Sequence, residues 1–302
     1  MIETDLTFKK SEVEPFRWRG RDFFVKRDDL IDPRFSGNKL RKLYSLFKLK
    51  NDDFCRVVSY GGAQSNAMLS IAYLAAMKGW EFVYYVKKMP KWLENSPTGN
   101  LKRALELKMV LRQLPHESFY ENIESIKESV SKDEIFVPQG GAASIAAEGV
   151  KVLAEEILEW KRSEGLDSFT VATPSGTGTT ALYLAKYLPK SVDVVTTPVV
   201  GDAHILYAQW AKLHEEGDPL PKILDGFGKY PFAKPHPAFL ETWMSLKESG
   251  IEFDLIYAPR MWIELESTYE SLRKPLLYIH SGGVSGNESQ LDHYIFKGLL
   301  KT

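Results

Sequence analysis

The chain has 302 residues, and its 39 basic and 40 acidic side chains give a formal net charge of -1 at pH 7. This balance excludes the strongly basic surface of a nucleic-acid-binding protein, and 44% hydrophobic residues is ordinary for one large or two smaller α/β domains. Cys55 is the single cysteine, which argues against a disulfide and favours the reducing cytoplasm. The lack of an apolar run of roughly 18 residues argues against a membrane span.

Short apolar strands alternate with amphipathic helices along most of the chain. In chain order, the predicted strands lie in CRVVSY, WEFVYYV, MVLRQL, DEIFVP, SFTVATP, VDVVTTP, EFDLIYA and PLLYI. They are rich in β-branched and aromatic residues and are bounded by turn residues, and a helical pattern follows each one. This alternation predicts an α/β fold with open, mostly parallel sheets covered by helices.

Four loops between a predicted strand and the next helix have unusual compositions. They are GGAQSN (61–66), PSGTGTT (174–180), YAPR (257–260) and HSGGVSGN (280–287). Such loops lie at the carboxyl edge of a parallel sheet, where ligands bind, so we expect one composite site. The six histidines show no pair at the i, i+4 spacing of a helical zinc site, so we expect no metal there.

PSGTGTT is typical of a phosphate-binding loop. Its two glycines permit a close backbone approach, its three threonines offer hydroxyl groups, and a helix is predicted to begin near Thr180 with its positive end towards the loop. No Gly-Lys-Ser/Thr follows, so it is not a Walker loop, and the third glycine of a dinucleotide fingerprint is missing. The alternative is a glycine-rich turn that only lets a helix pack on a strand.

GGAQSN places Ser65 and Asn66 at the predicted start of a helix. Both residues are favourable helix caps, which is one complete explanation of the motif. The same geometry also suits a substrate carboxylate, because backbone N–H groups and a hydroxyl converge there.

Lys39, in FSGNKLRKL, lies at the predicted start of another helix. The helix dipole disfavours a cation at this end, and neighbouring cations would lower the pKa of the lysine and make its amine more nucleophilic. Together with a phosphate anchor, such a lysine indicates a Schiff base with pyridoxal phosphate. The alternative is a solvated face, because Arg41, Lys42 and Lys48 are close in sequence.

Several motifs together resemble a known family across most of the chain. In order and spacing, the sequence is similar to the pyridoxal-phosphate enzymes that include 1-aminocyclopropane-1-carboxylate (ACC) deaminase and D-cysteine desulfhydrase, within the tryptophan-synthase-β-like fold type (type II). The motifs that carry the resemblance are VKRDDL, SGNKLRKL, SYGGAQSN, FVPQGGAASIAAEG, PSGTGTTA, DLIYAP and YIHSGGVSG.

The resemblance implies roles for individual residues. Lys39 would bind the cofactor covalently and later move a substrate proton, Asn66 would bind the cofactor's ring hydroxyl, and Ser281 would face its pyridine nitrogen. The phosphate would be held by Gly176, Thr177, Gly178, Thr179 and Thr180. The substrate would contact Ser65 and Tyr257, both with catalytic roles, together with Gln64 and Asn66.

Two positions depart from the family pattern. Ala258 stands where ACC deaminases have a glutamate that contacts the pyridine nitrogen, and Phe232 stands where a second tyrosine is usual. Tyr230 is close enough in sequence to replace that tyrosine. A neutral Ser281 beside the nitrogen would leave the cofactor a weaker electron sink, which suits elimination of a good leaving group better than opening a cyclopropane ring.

These observations predict two α/β domains with the cofactor between them, a large one of residues 1–45 and 155–302 and a small one of residues 46–154 that closes over the substrate. The predicted function is α,β-elimination from a small D-amino acid such as D-cysteine. The alternatives are ACC deamination and a non-catalytic pyridoxal-phosphate-binding protein. The resemblance also implies a homodimer, and we expect neither a nucleic-acid nor a membrane partner.

Overall fold

Two β-sheets organise residues 8–301, the part of the chain that the computed structural model describes. The strands are β1 (Val13–Trp18), β2 (Arg21–Lys26), β3 (Arg56–Tyr60), β4 (Glu81–Lys87), β5 (Val110–Leu114), β6 (Glu134–Val137), β7 (Phe169–Ser175), β8 (Val192–Pro198), β9 (Lys222–Ile223) and β10 (Leu276–Ile279). The helices are α1 (Gly37–Lys42), α2 (Tyr44–Lys48), α3 (Asn66–Lys78), α4 (Lys91–Asn95), α5 (Gly99–Glu106), α6 (Phe119–Ser129), α7 (Ala146–Ser163), α8 (Thr179–Tyr187), α9 (Ala203–Trp210), α10 (Pro237–Glu248), α11 (Ala258–Thr268) and α12 (Asn287–Phe296).

The larger sheet has six strands in the order β1-β2-β10-β7-β8-β9. Only the β1–β2 hairpin, which the sequence pattern did not predict, is antiparallel. Alternate residues of β10 enter different cores: Leu277 and Ile279 pack with α7 and α8, whereas Leu276 and Tyr278 pack with α11. The sheet is therefore buried on both faces, as a parallel sheet with continuous apolar strands requires.

The smaller sheet has four parallel strands in the order β5-β4-β3-β6. Its main core lies against α3, where Met68, Ile71 and Leu74 are fully buried. The predicted fold class, two open and mostly parallel sheets with helices, is confirmed. All four strands lie between residues 56 and 137, and the predicted domain boundaries themselves stay a prediction.

The strand predicted in EFDLIYA (252–258) does not form. The backbone groups of this buried segment are satisfied by side chains instead: the Phe253 carbonyl accepts from Asn287 Nδ2 at 2.9 Å, and the Leu255 amide donates to Asn287 Oδ1 at 2.8 Å. The Asp254 carboxylate then accepts from the Ile256 and Tyr257 amides and turns the chain into α11. Apolar composition alone could not show this, because a buried loop and a buried strand have the same hydrophobicity.

A buried ionic network anchors α1 to the core of the larger sheet through Arg41. Arg41 binds Glu156 through both carboxylate oxygens, at 2.7 and 2.8 Å, and Asp28 at 2.8 Å. Lys26 donates to Glu156 at 2.6 Å and to Ser11. Two buried cations are thus matched by two buried carboxylates, so removing any one of the four leaves a charge uncompensated.

Replacing Glu156 by glutamine should lower the free energy of unfolding by about 3 kcal/mol, since Lys26 and Arg41 then share one carboxylate in a water-free interior. Urea denaturation of both proteins measures this difference. Glu155→Gln is the matched control, because this substitution makes the same charge change at an exposed position of α7. Equal unfolding midpoints for the two variants would contradict the importance of the network.

Candidate active site

Loops from the two sheets meet at the carboxyl ends of their strands. The loop after β6 contacts the loop after β7, because a Cβ on Gly140 would lie 3.2 Å from the Thr177 methyl group. The loop after β3 contacts the loop after β10, because a Cβ on Gly283 would lie 2.5 Å from Asn66 Nδ2. GGAQSN thus meets HSGGVSGN, and PSGTGTT meets the loop after β6; the space beside these loops is the candidate cleft.

Lys39 is carried into this cleft by α1, which begins two residues before the lysine. A Cβ on Gly37 would lie 2.3 Å from the Asp28 carbonyl oxygen, so only glycine fits at the start of the helix. The Asn38 amide donates to the Ser281 carbonyl at 3.1 Å. The α1 turn and the turn after β10 are thereby locked together.

The electrostatics of Lys39 suit a nucleophile. Burial lowers its pKa to about 8, against an opposing effect of the Asp254 carboxylate. The predicted lowering of the pKa is confirmed in direction, but burial and not the neighbouring cations is its main cause. The alternative of a solvated face is also wrong, since Lys39 is partly buried and Arg41 and Lys42 are buried.

The PSGTGTT loop has the geometry of an anion cradle. Gly176 lies so close to Tyr257 that an added Cβ would contact the ring. Gly178 has a φ of +72°, and its carbonyl accepts from Trp210 Nε1 at 3.0 Å. Helix α8 begins directly afterwards at Thr179, whose hydroxyl lies 3.0 Å from that of Thr177. Thr180 lies in the first turn, and no side chain caps the amides at the start of α8. These amides, the hydroxyls and the positive end of the helix dipole suit an anion.

Lys42 completes the cradle. It was not among the site residues predicted from the sequence. Its ammonium group donates to the Gly140 carbonyl at 3.2 Å and to Thr177 Oγ1 at 3.3 Å. Burial, with a further effect of Lys39, holds the pKa of Lys42 well below its usual range. The available signal was its spacing of three residues from Lys39, which places both side chains on one helix face.

GGAQSN caps α3 as predicted. Ser65 Oγ accepts from the Ala67 and Met68 amides at 3.2 and 3.4 Å. The neighbouring Gln64 was predicted to bind substrate, but its side chain donates to the Thr98 carbonyl at 3.0 Å and accepts from the Asn100 amide at 2.9 Å. Both polar groups of the Gln64 side chain are thus engaged within the protein, and its contact with the substrate stays a prediction.

Ser281 and Tyr257 approach the cleft from the larger sheet. Ser281 Oγ is buried and has no hydrogen-bond partner among residues 8–301, which leaves it available to a bound group. A Cβ on Gly176 would lie 3.4 Å from the Tyr257 ring and hydroxyl, and the Tyr257 amide donates to Asp254 at 2.5 Å. Burial raises the pKa of Asp254 to about 6, so this carboxylate is a further group that the sequence argument missed.

The two departures from the family pattern are visible in the fold. Ala258 is fully buried at the start of α11, and Phe232 is exposed at the rim with its ring 5.8 Å from that of Tyr257. The Tyr230 hydroxyl donates to the Pro235 carbonyl at 3.0 Å, within its own loop. Tyr230 therefore does not place a hydroxyl at the position of Phe232.

A family model described as pyridoxal-phosphate dependent enzyme matches residues 14–251. The chain belongs to this family. A Thermotoga maritima protein provisionally named 1-aminocyclopropane-1-carboxylate deaminase is 27% identical over 94% of both chains. The D-cysteine desulfhydrase of Serratia proteamaculans is 26% identical over 87% of both chains. A solved structure of an ACC deaminase homologue superposes with a TM-score of 0.77 at 20% identity, over 96% of this chain and 95% of that one.

Pyridoxal phosphate is therefore the cofactor, and the predicted assignment to a pyridoxal-phosphate dependent lyase or deaminase is confirmed. The cleft fits this cofactor in three respects. Lys42 is a buried amine beside a cradle of amides and hydroxyls, Ser281 Oγ lacks a partner, and Lys39 has a lowered pKa. No group of three metal-ligating side chains occurs within residues 8–301, and no helix there is long and apolar enough to cross a membrane.

Replacing Gly178 by alanine should weaken pyridoxal-phosphate binding at least about tenfold and destabilise the protein by about 2–4 kcal/mol. A Cβ there would lie 2.2 Å from Trp210 Nε1, on a backbone with positive φ. Titration of the apo-protein with the cofactor and urea denaturation measure the two effects. Gly165→Ala is the control, because Gly165 has a φ of +63° but nothing within 4 Å, so it should leave cofactor binding unchanged.

Proposed function

We propose that the protein catalyses α,β-elimination from a small D-amino acid such as D-cysteine. In that reaction D-cysteine and water give pyruvate, ammonia and hydrogen sulfide. The observation that carries the proposal is the unpartnered Ser281 hydroxyl next to the cleft, with the alanine methyl of Ala258 in place of a carboxylate. A neutral group beside the pyridine nitrogen leaves the cofactor a weaker electron sink. That is sufficient when the leaving group is a good one such as a thiolate.

The cofactor, when bound, supplies the electron sink for charge that develops at the substrate carbon. The protein supplies positioning and proton transfer. Lys39 Nζ can hold or release a proton near neutral pH because its pKa is about 8. The N-terminus of α3, with the Ser65 hydroxyl, offers donors to a substrate carboxylate.

ACC deamination to 2-oxobutanoate and ammonia is the second candidate. The Thermotoga maritima relative, similar over nearly the full length, supports it. The D-cysteine desulfhydrase relative has nearly the same identity, so similarity alone does not separate the two activities. Opening an unactivated ring needs the stronger electron sink that a charged partner would give, and Ala258 cannot supply it.

A parallel assay separates these candidates. The holoenzyme is incubated with D-cysteine, L-cysteine and ACC, and pyruvate, 2-oxobutanoate and sulfide are measured. We expect pyruvate and sulfide in equal amounts from D-cysteine. Release of 2-oxobutanoate from ACC with no turnover of D-cysteine would favour the second candidate. Bound cofactor without keto acid from any small amino acid would indicate a non-catalytic protein.

We further propose that the enzyme works in the cytoplasm as a homodimer. The single thiol, Cys55, is exposed, which is compatible with a reducing compartment. Light scattering at assay concentration tests the oligomeric state, and a monomeric mass with full activity would contradict it.

A further inference from the structure

We propose that Asn100 is a positioning residue that fixes the amide of Asn66 with its NH₂ group facing the cleft. Asn100 lies at the start of α5 and is only 1% exposed, although its side-chain amide has both an oxygen and an NH₂ group that need partners. Its Nδ2 donates to the Gln64 carbonyl at 3.1 Å and to Asn66 Oδ1 at 2.9 Å. Its Oδ1 accepts from Ser285 Oγ at 3.2 Å.

These contacts determine which way both amides face. A backbone carbonyl can only accept, so the Asn100 atom next to the Gln64 carbonyl must be the nitrogen. That nitrogen also donates to Asn66, so the Asn66 atom that faces Asn100 must be the oxygen. The Asn66 nitrogen then lies on the opposite side of its amide. The orientation of Asn66 thus follows from a backbone group two residues before it.

The free nitrogen of Asn66 points towards the active-site loops. It lies 2.5 Å from the position that a Cβ on Gly283 would occupy, two residues after Ser281. Within residues 8–301, no hydrogen bond uses Asn66 Nδ2 as a donor. A bound group at this point therefore meets a donor and must present an acceptor. The ring oxygen of pyridoxal phosphate can accept this hydrogen bond, and it accepts more strongly as an oxyanion, so Asn100 indirectly favours the ionised ring oxygen.

Asn100 also joins the two sheets. It belongs to the crossover between β4 and β5 of the smaller sheet, whereas Ser285 follows β10 of the larger one. The side chain of Gln64 binds the Asn100 amide at 2.9 Å and holds this turn in place.

Asn100→Asp tests the proposal with the reconstituted holoenzyme. A carboxylate cannot donate to Asn66, so the Asn66 amide turns over and presents its oxygen to the cofactor. We expect cofactor affinity to fall at least about tenfold, through loss of one charge-assisted hydrogen bond. We also expect part of the long-wavelength absorbance band of the bound cofactor to move to shorter wavelength, because the ring oxygen retains its proton. Asn95→Asp, with the same charge change on an exposed residue, should change neither property.

Asn100→Ala is the second variant, in case the aspartate prevents folding. Alanine removes the hydrogen bond that orients the Asn66 amide but does not reverse the amide. The shift in cofactor absorbance should therefore be smaller than in Asn100→Asp, but present. Folded variants whose cofactor affinity and absorbance equal those of the wild type would overturn the proposal. The readout is the cofactor and not turnover, so a wrong choice of substrate would leave this test valid.

Discussion

Replacing Lys39 by alanine is expected to lower keto-acid release at least about a thousandfold, because the nucleophile and the proton carrier are one group. The variant should still bind pyridoxal phosphate, since the cradle of Thr177, Thr179 and Lys42 is intact. Keto-acid release and the absorbance of the bound cofactor measure the two properties. Lys39→Arg keeps the charge but cannot attach the cofactor, so it should be equally inactive. Activity above one tenth of wild type in either variant would contradict the role of Lys39.

The lowered pKa of Lys39 adds a pH dependence. In the apo-protein burial lowers the pKa of Lys39 to about 8, against 10.5 for a lysine in water. The folded state then binds fewer protons than the unfolded state between these two values, so stability should rise with pH across that window. Below pH 8 both states are protonated and the contribution no longer changes. Lys39→Met should lack this slope in urea denaturation from pH 7 to pH 10, and an unchanged slope would contradict the assignment.

Replacing Lys42 by methionine is expected to weaken pyridoxal-phosphate binding by about 10- to 100-fold, the value of a charge-assisted hydrogen bond to the phosphate. Lys42 is buried, and among residues 8–301 its ammonium group contacts a carbonyl and a hydroxyl but no carboxylate. An arriving phosphate would therefore supply the missing counter-charge. For the same reason, removing this buried amine should not destabilise the apo-protein.

Comparing pyridoxal phosphate with pyridoxal makes the Lys42 experiment specific. The wild type should prefer the phosphorylated form, and Lys42→Met should lose most of that preference while binding pyridoxal unchanged. Lys48→Met is the matched control, because Lys48 lies on α2 and forms an exposed ion pair with Glu148. If Lys42→Met keeps the preference for the phosphorylated form, the cradle does not depend on this lysine.

Local sequence was sufficient where a motif sets its own conformation. The cap at Ser65, the positive φ at Gly178 and the start of α8 follow from residue type and neighbours within a few positions. The strand–helix alternation likewise predicted both sheets. The strand predicted over 252–258 does not form because Asn287, 32 to 34 residues later, satisfies its backbone groups, and no local pattern records such a partner.

The sequence by itself determined the fold class, the cofactor family and the loops of the cleft, because these depend on periodicity and on motifs that are continuous in the chain. Only the tertiary structure decided the environment of each group: why the pKa of Lys39 is lowered, that Lys42 faces the phosphate cradle, and that Tyr230 does not replace Phe232. Desolvation and hydrogen bonding depend on atoms that are distant in sequence and close in space. The link from Asn100 to Asn66 is of the same kind, since it spans 34 residues of the chain over 2.9 Å.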